Sequence, residues 1–348
     1  MTFRLPDIEP ALDASLKARL QRRIDNKTKP LGALGRIEAI ALQLGLIQRS
    51  ETITLSTPQM VVFAADHGIA AEGVSAFPQA VTVQMVANML AGGAAINVLT
   101  RQHGFTLHVV DAGVAADLDD HPQLIKQKIA FGTQNISNVP AMTNDQLDAA
   151  LLAGASIVAA LPGNVIAFGE MGIANTSPAA LLLHRLAGVP LDEAIGRGTG
   201  LDDRQLLHKQ HVLELAAARH KEAVTPMQAL AALGGFEIAM MAGAMLQSAS
   251  ERRLILVDGF IAGSAALAAR TLAPHALDYM VFCHRSAERG HRLLLAHLQA
   301  RALLDLDMRL GEGTGALLAW PLVQSAALVM NEMASFESAG VSGKEENV

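Results

Sequence analysis

One cysteine, one tryptophan and one tyrosine stand in 348 residues, and aromatic side chains make up 3% of the chain. A lone thiol, Cys283, excludes a disulfide framework and a thiolate metal cluster, and fits a reducing cytoplasm. Apolar residues nevertheless reach 51%, so the core must be built from Ala, Leu, Val, Ile and Met, side chains that let helices approach closely. Basic runs are also missing: the formal charge is −6 and the Lys and Arg residues are scattered, which leaves no electrostatic track for a phosphate backbone and makes nucleic acid an unexpected partner. The most apolar stretch, residues 151–168, is broken by Pro162, Gly163 and Asn164 and falls short of the roughly 18 uninterrupted apolar residues of a transmembrane helix. No membrane span is expected. The first 25 residues alternate charge and apolar positions without the apolar core of a secretory leader. A cytoplasmic protein is the expectation, with no solenoid repeat and only the tail 342–348 reading as disordered.

What is present is an alternation of short β-branched runs with longer Ala/Leu segments of helical period, the mark of an α/β fold. Strands are expected at Gln59–Ala65, Thr106–Val110, Val165–Phe168, Arg253–Val257 and Asp278–Cys283, each ending in Asp, Gly or His. Ligands of parallel α/β sheets bind beyond the carboxyl ends of the strands, so a site should assemble there. Residues 1–50 read as two helices joined at Lys29-Pro30-Leu31-Gly32, and the region after Leu303 as a loop followed by helices. The expected organisation is a large α/β domain over 51–302 and a small helical domain from 1–50 plus 303–348.

Three glycine loops carry the local signal. The run Gly169-Glu170-Met171-Gly172-Ile173-Ala174-Asn175-Thr176-Ser177-Pro178 follows a strand and opens a helix; Asn175, Thr176 or Ser177 is expected to cap it, leaving backbone amides suited to an anion. Gly196-Arg197-Gly198-Thr199-Gly200 matches neither the dinucleotide nor the phosphate-loop spacing, although Arg197 and Lys209 are charges suited to a phosphate or carboxylate. In Leu310-Gly311-Glu312-Gly313-Thr314-Gly315 a carboxylate sits between glycines before an apolar helix. It reads either as a helix-terminal charge or as a general base with a raised pKa. Asp66, His67, Asp111, Asp258, His284 and Glu288 offer a competing metal site, without any zinc-type spacing, and no nucleophile elbow is present.

Taken in order, the series Asn26 to Glu38, Ala65-Asp66-His67-Gly68, Gly73-Val74-Ser75-Ala76-Phe77-Pro78, Gly92-Gly93-Ala94-Ala95-Ile96-Asn97, Val110-Asp111-Ala112-Gly113, the three glycine loops, Gly234-Gly235-Phe236-Glu237-Ile238, Val257-Asp258-Gly259-Phe260 and His284-Arg285-Ser286-Ala287-Glu288 resembles the nicotinate-nucleotide–dimethylbenzimidazole phosphoribosyltransferase family over nearly the whole chain. The resemblance implies a Rossmann-like parallel sheet flanked by helices, a small helical domain drawn from both ends, and a homodimer. It implies transfer of phosphoribose from nicotinate mononucleotide to a benzimidazole-type base, with no cofactor and no metal. Glu312 takes the place of the catalytic base, and Glu170, from its place in the glycine loop, is the candidate for a second catalytic carboxylate that balances positive charge on the ribose. Gly172, Ile173, Asn175, Thr176, Ser177, Lys209 and Ser286 would cradle phosphate and ribose. Arg197, Gly198, Thr199 and Gly200 would approach the nucleotide, and Asp258 and Gly311 join the substrate-binding set. Ser75, Gln84, Met85 and Leu310 would line the base pocket. The family often has Gly where Ala174 stands. The alternatives are a non-catalytic nucleotide- or base-binding protein on the same scaffold and a metal-dependent phosphohydrolase.

Overall fold

The computed structural model describes residues 2–198 and 200–342. Six strands, β1 (Gln59–Ala65), β2 (Thr106–Gly113), β3 (Leu124–Lys126), β4 (Val165–Met171), β5 (Leu254–Val257) and β6 (Met280–Phe282), form one sheet in the order β3-β2-β1-β4-β5-β6. All five pairings are parallel, and helices flank the sheet, as the sequence led us to expect. β1 is buried at every residue, which is why it reads as an unbroken apolar run. β2 and β4 run three residues past their expected ends, into Asp111-Ala112-Gly113 and Gly169-Glu170-Met171, so polar residues expected beyond the sheet belong to its last rungs. β3, a three-residue edge strand, is an additional element.

Chain order reverses between neighbours β1 and β4. At such a switch the crossovers depart to opposite faces and leave a crevice over the strands' carboxyl ends. Small residues bring the supporting helices close, as the poverty of aromatics requires. Helices Asn144–Ala160 and Phe236–Ser250 meet where Gly154 faces the Met240 carbonyl and Gly243 faces the Leu151 carbonyl, contacts that leave no room for a Cβ.

The chain ends meet. Helices Ala14–Asp25 and Arg36–Gln48 pack on each other, and the second packs on Thr314–Glu332. Between the first two, a buried Lys29–Glu38 ion pair of 2.8 Å fixes the turn, while Thr28 donates to the Ala334 carbonyl (3.1 Å) and Phe336 to that of Asn26 (3.0 Å). The Thr314–Glu332 helix also lies against β4 and helix Ala95–His103, which carries the terminal layer to the site. The segment Ala80–His103 has the length and mean hydropathy, 1.3, of a membrane-crossing helix. It is bent at Gly92, φ +81°, into helices of 11 and 9 residues, each shorter than the roughly 20 residues a bilayer requires.

Candidate active site

A cavity of about 320 Å³ opens over the carboxyl ends of β4, β5 and β6 and under helix Ala80–Leu90. One wall is apolar: Val81 and Met85, one helical turn apart, face it together with Phe77 and Leu310. The cavity is also acidic, because three strand-end or loop carboxyls, Glu170, Asp258 and Glu312, line it.

Glu312 is 3% exposed and sits in a turn of three successive left-handed residues, Gly311 (φ +85°), Glu312 (φ +61°) and Gly313 (φ +89°). A non-glycine residue in that region is strained by roughly 1–2 kcal/mol and persists only where its surroundings hold it. The hold comes from β4: Gly169 lies directly under the Glu312 carbonyl, where any side chain would overlap it. The carboxylate accepts from the Ile96 amide at 3.2 Å, in the first turn of helix Ala95–His103. Burial raises its pKa, the Ile96 bond opposes the rise, and the Asp258 charge adds to it.

Glu170, at the end of β4, lies against Gly311. Its carboxyl accepts from the Asn175 side-chain amide. Burial first, then the neighbouring Asp258 charge, push its pKa up to about 8, the Asn175 bond opposing and Glu237 and Glu312 contributing further. Glu170 therefore holds a proton at neutral pH. Behind Thr176, Lys209 is fully buried and donates to Thr176 Oγ1 (2.8 Å) and the Gly196 carbonyl (3.3 Å). Burial lowers its pKa to about 8 against the pull of Glu288. Arg309, at the cavity rim, donates to the Gly198 carbonyl at 3.3 Å. Converging carboxyls, Arg309 at the rim with Lys209 behind Thr176, and an apolar wall together suit a ligand with a cationic centre, an anionic group and a planar ring.

The chain matches a phosphoribosyltransferase family model over residues 9–341. It is 59% identical over 343 residues to a nicotinate-nucleotide–dimethylbenzimidazole phosphoribosyltransferase of Cupriavidus taiwanensis, covering 98% of this chain and 99% of the relative. A similarly named protein of Variovorax paradoxus is 56% identical over 98% of each. A crystal structure of CobT from Thermus thermophilus superposes with a TM-score of 0.92 at 42% identity, covering 95% of this chain and 100% of that one. The chain belongs to the nicotinate-nucleotide–dimethylbenzimidazole phosphoribosyltransferase family.

For this member of the phosphoribosyltransferase family, the residues expected from sequence fall into three groups. Glu170, Gly172, Ile173, Asn175, Thr176, Gly198, Asp258, Ser286, Gly311 and Glu312 meet on the cavity, with Met85 and Leu310 on its apolar wall. Ser75 and Arg197 line a smaller adjoining pocket that shares Gly172, Ile173, Asn175, Thr176 and Gly198. Arg197 is ion-paired with Asp203 and donates to the Leu201 carbonyl (2.9 Å), so its charge is already matched at the surface. Gln84, Ser177, Gly200 and Lys209 line neither space. Gln84 is exposed on its helix, Ser177 is buried in the first turn of Thr176–Ala187, and Lys209 acts from behind Thr176. Thr199 lies outside the described residues, as do positions 343–348 of the tail.

Two sequence readings change with the geometry. Asn175 occupies the cap position of its helix but makes no cap bond; its amide is taken by the buried carboxyl of Glu170. The dispersed metal candidates have other partners: Asp66 accepts from the Ala115 amide, Asp111 pairs with Lys128, and His67 with Glu237. Among the described residues no three His, Cys, Asp or Glu side chains gather as a metal cage. Phe77, Val81 and Arg309 reach the cavity without having been given a role from sequence. His284 and Glu288, both on the wall, figured there as motif members and metal ligands only. Ala174 adopts φ +74°, a left-handed conformation that glycine takes without steric cost and alanine does not.

The raised pKa of Glu170 has a stability consequence. Unfolded, the carboxyl loses its proton near 4.5; folded, it keeps it to about 8. Stability present below the lower value is therefore lost as pH rises through the upper one. Glu170→Gln keeps the neutral shape and has no proton to lose. Its Tm should match the parent near pH 5 and exceed it by about 3 °C or more at pH 9. A Tm difference that does not change with pH, measured by calorimetry, would contradict the assignment.

Proposed function

We propose that the chain transfers the 5-phosphoribosyl group of nicotinate mononucleotide to 5,6-dimethylbenzimidazole or a related base, giving α-ribazole 5′-phosphate and nicotinate, the step that makes the lower-ligand nucleotide of cobalamin. The observation that carries this reading is Glu312, a buried carboxylate of raised pKa in a cavity with an apolar wall and two further carboxyls. A flat bicyclic base fits against Val81, Met85 and Leu310 with its N–H toward Glu312. One ring nitrogen attacks the anomeric carbon, the bond from that carbon to the pyridinium nitrogen breaks, and the electron pair leaves on a neutral pyridine ring. Glu312 takes the proton from the other ring nitrogen, and entry opposite to the leaving group converts β to α. The pyridinium cation of the donor lies over Glu170. As positive charge moves to the ribose, the Glu170 carboxyl, once deprotonated beside that cation, balances it. The phosphate is held by the Gly172–Ser177 loop with Ser286, and by Lys209 behind Thr176, while Gly198 approaches the ribose.

Both reactant charges are met by side chains, so the reading calls for no cofactor or metal. Residues 1–50 and 303–348 then serve as a small helical domain that delivers Glu312 to the 51–302 body. A homodimer and a cytoplasmic location complete the proposal, the latter resting on the single buried Cys283. The test is chromatography after mixing protein, nicotinate mononucleotide and dimethylbenzimidazole. Nicotinate and α-ribazole 5′-phosphate should appear in equal amounts, unchanged by chelator and without inorganic phosphate. Ligand binding with no product would favour the binding-protein alternative, and chelator-sensitive phosphate release the phosphohydrolase.

A further inference from the structure

Helix Thr314–Glu332 begins without a capping side chain of its own. Its N-cap residue is Gly313, at φ +89°, so the amides of its first turn need an acceptor from elsewhere. Asp258, one residue beyond β5, supplies it. Its Oδ1 accepts from Gly315 (2.7 Å) and Ala316 (3.2 Å), and its Oδ2 from Gly313 (3.1 Å). Asp258 is 1% exposed, and His284 Nε2 stands 3.4 Å from the same Oδ1. The other ring nitrogen, Nδ1, is buried and has no partner among the described residues, which fits a proton on Nε2, pointing at the carboxylate. The His284 ring is clamped between Gly259 and Gly315; a Cβ at 315 would overlap both that ring and Asp258.

We infer that Asp258, oriented by His284, is a positioning residue that fixes Glu312 in its left-handed turn, rather than a substrate contact. The inference rests on the proposed role of Glu312 as base. The three amides that Asp258 binds belong to three of the four residues after Glu312, so the carboxylate fixes the exit of the turn as Gly169 fixes its floor. With Oδ1 shared among two amides and an imidazole and Oδ2 already taking one amide, little of Asp258 is left for a ligand. Its charge acts on the base as well. The ionisable groups that share the cavity with Glu312 are Glu170 from β4, Asp258 from the end of β5, His284 from the end of β6, Glu288 and Arg309, with Lys209 behind Thr176. Helix Ala95–His103 contributes only the Ile96 amide to its carboxylate.

Asp258→Asn keeps the shape, turns one amide-accepting oxygen into a donor and removes the charge. Turnover should fall about 10–100-fold while KM for nicotinate mononucleotide changes less than about threefold, and the acid limb of kcat/KM should move to lower pH. Gly315→Ala, which crowds His284 and Asp258 but keeps the carboxylate, should lower turnover with that limb unmoved; it also provides the test if Asp258→Asn does not fold. In a Glu312→Gln background, Asp258→Asn should add little further loss, since the group it positions is gone. A rise in KM with kcat intact, multiplicative losses in the double variant, or parental turnover in Gly315→Ala would each overturn the positioning role and leave Glu312 as base. Parental turnover in Glu312→Gln alone would instead remove the base on which the inference rests.

Discussion

Glu312→Gln is expected to lower turnover by roughly 10²–10⁴-fold, the usual contribution of a positioned general base, with binding of nicotinate mononucleotide retained. Gln keeps the length and shape of the side chain, and its carbonyl oxygen still accepts from the Ile96 amide that holds the carboxylate at 3.2 Å. It cannot take a proton. The same assignment fixes a pH dependence. Burial holds the Glu312 carboxyl above the ordinary glutamate value of 4.5, and the base form is the ionised one. The kcat/KM of the parent should therefore fall as pH drops through that raised value, and the residual activity of the variant should lack this limb. Steady-state rates over pH, with calorimetric binding at neutral pH, decide the matter. A variant that turns over like the parent, or a limb that survives in it, would dismiss Glu312 as base.

Lys209→Met should raise KM for nicotinate mononucleotide about 10–100-fold and leave that for the base nearly unchanged. The buried ammonium acts on the phosphate through Thr176, to which it donates, and a loss on the scale of one charge-assisted hydrogen bond, about 1.5–3 kcal/mol, is expected when an unbranched apolar side chain replaces it. Because Lys209 is fully buried behind Thr176, removing its charge takes away cationic field from the phosphate loop without opening a surface. Its pKa is lowered to about 8 by that burial. The cation is therefore lost as pH rises through that value, and the parent's affinity for the phosphate-bearing donor should weaken above pH 8 while the methionine variant shows no such step. Equal losses for both substrates would point to general damage to the fold and against a phosphate role.

The legible parts of the molecule are those whose physics is local. β1 is readable to the residue because seven consecutive, mostly apolar residues before Asp66 have no other use than a central parallel strand. Glu312 and Glu170 are legible as carboxylates among glycines, where the backbone must come close to something. β3 is not legible: Leu124-Ile125-Lys126 pairs along a single edge, is half exposed, and is too short to carry a period. Asn175 has the sequence of a cap, but a buried carboxyl five residues earlier competes for its amide, and that carboxyl's burial is a tertiary fact. Arg309 stands exposed in a loop with no motif, and only the folding of the chain's last quarter over β6 brings it to the rim. Asp258 carries a substrate-binding expectation from sequence, yet its three backbone partners lie 55 to 58 residues downstream, beyond what spacing reveals.

The most direct test of base-assisted, inverting transfer is the anomeric configuration of the product, read by proton NMR after protein is mixed with β-nicotinate mononucleotide and dimethylbenzimidazole. A single α-anomer, formed as nicotinate is released and absent when Glu312 is replaced by Gln, is the expected result. A β-anomer, or a mixture of both, would contradict direct attack from the Glu312 side.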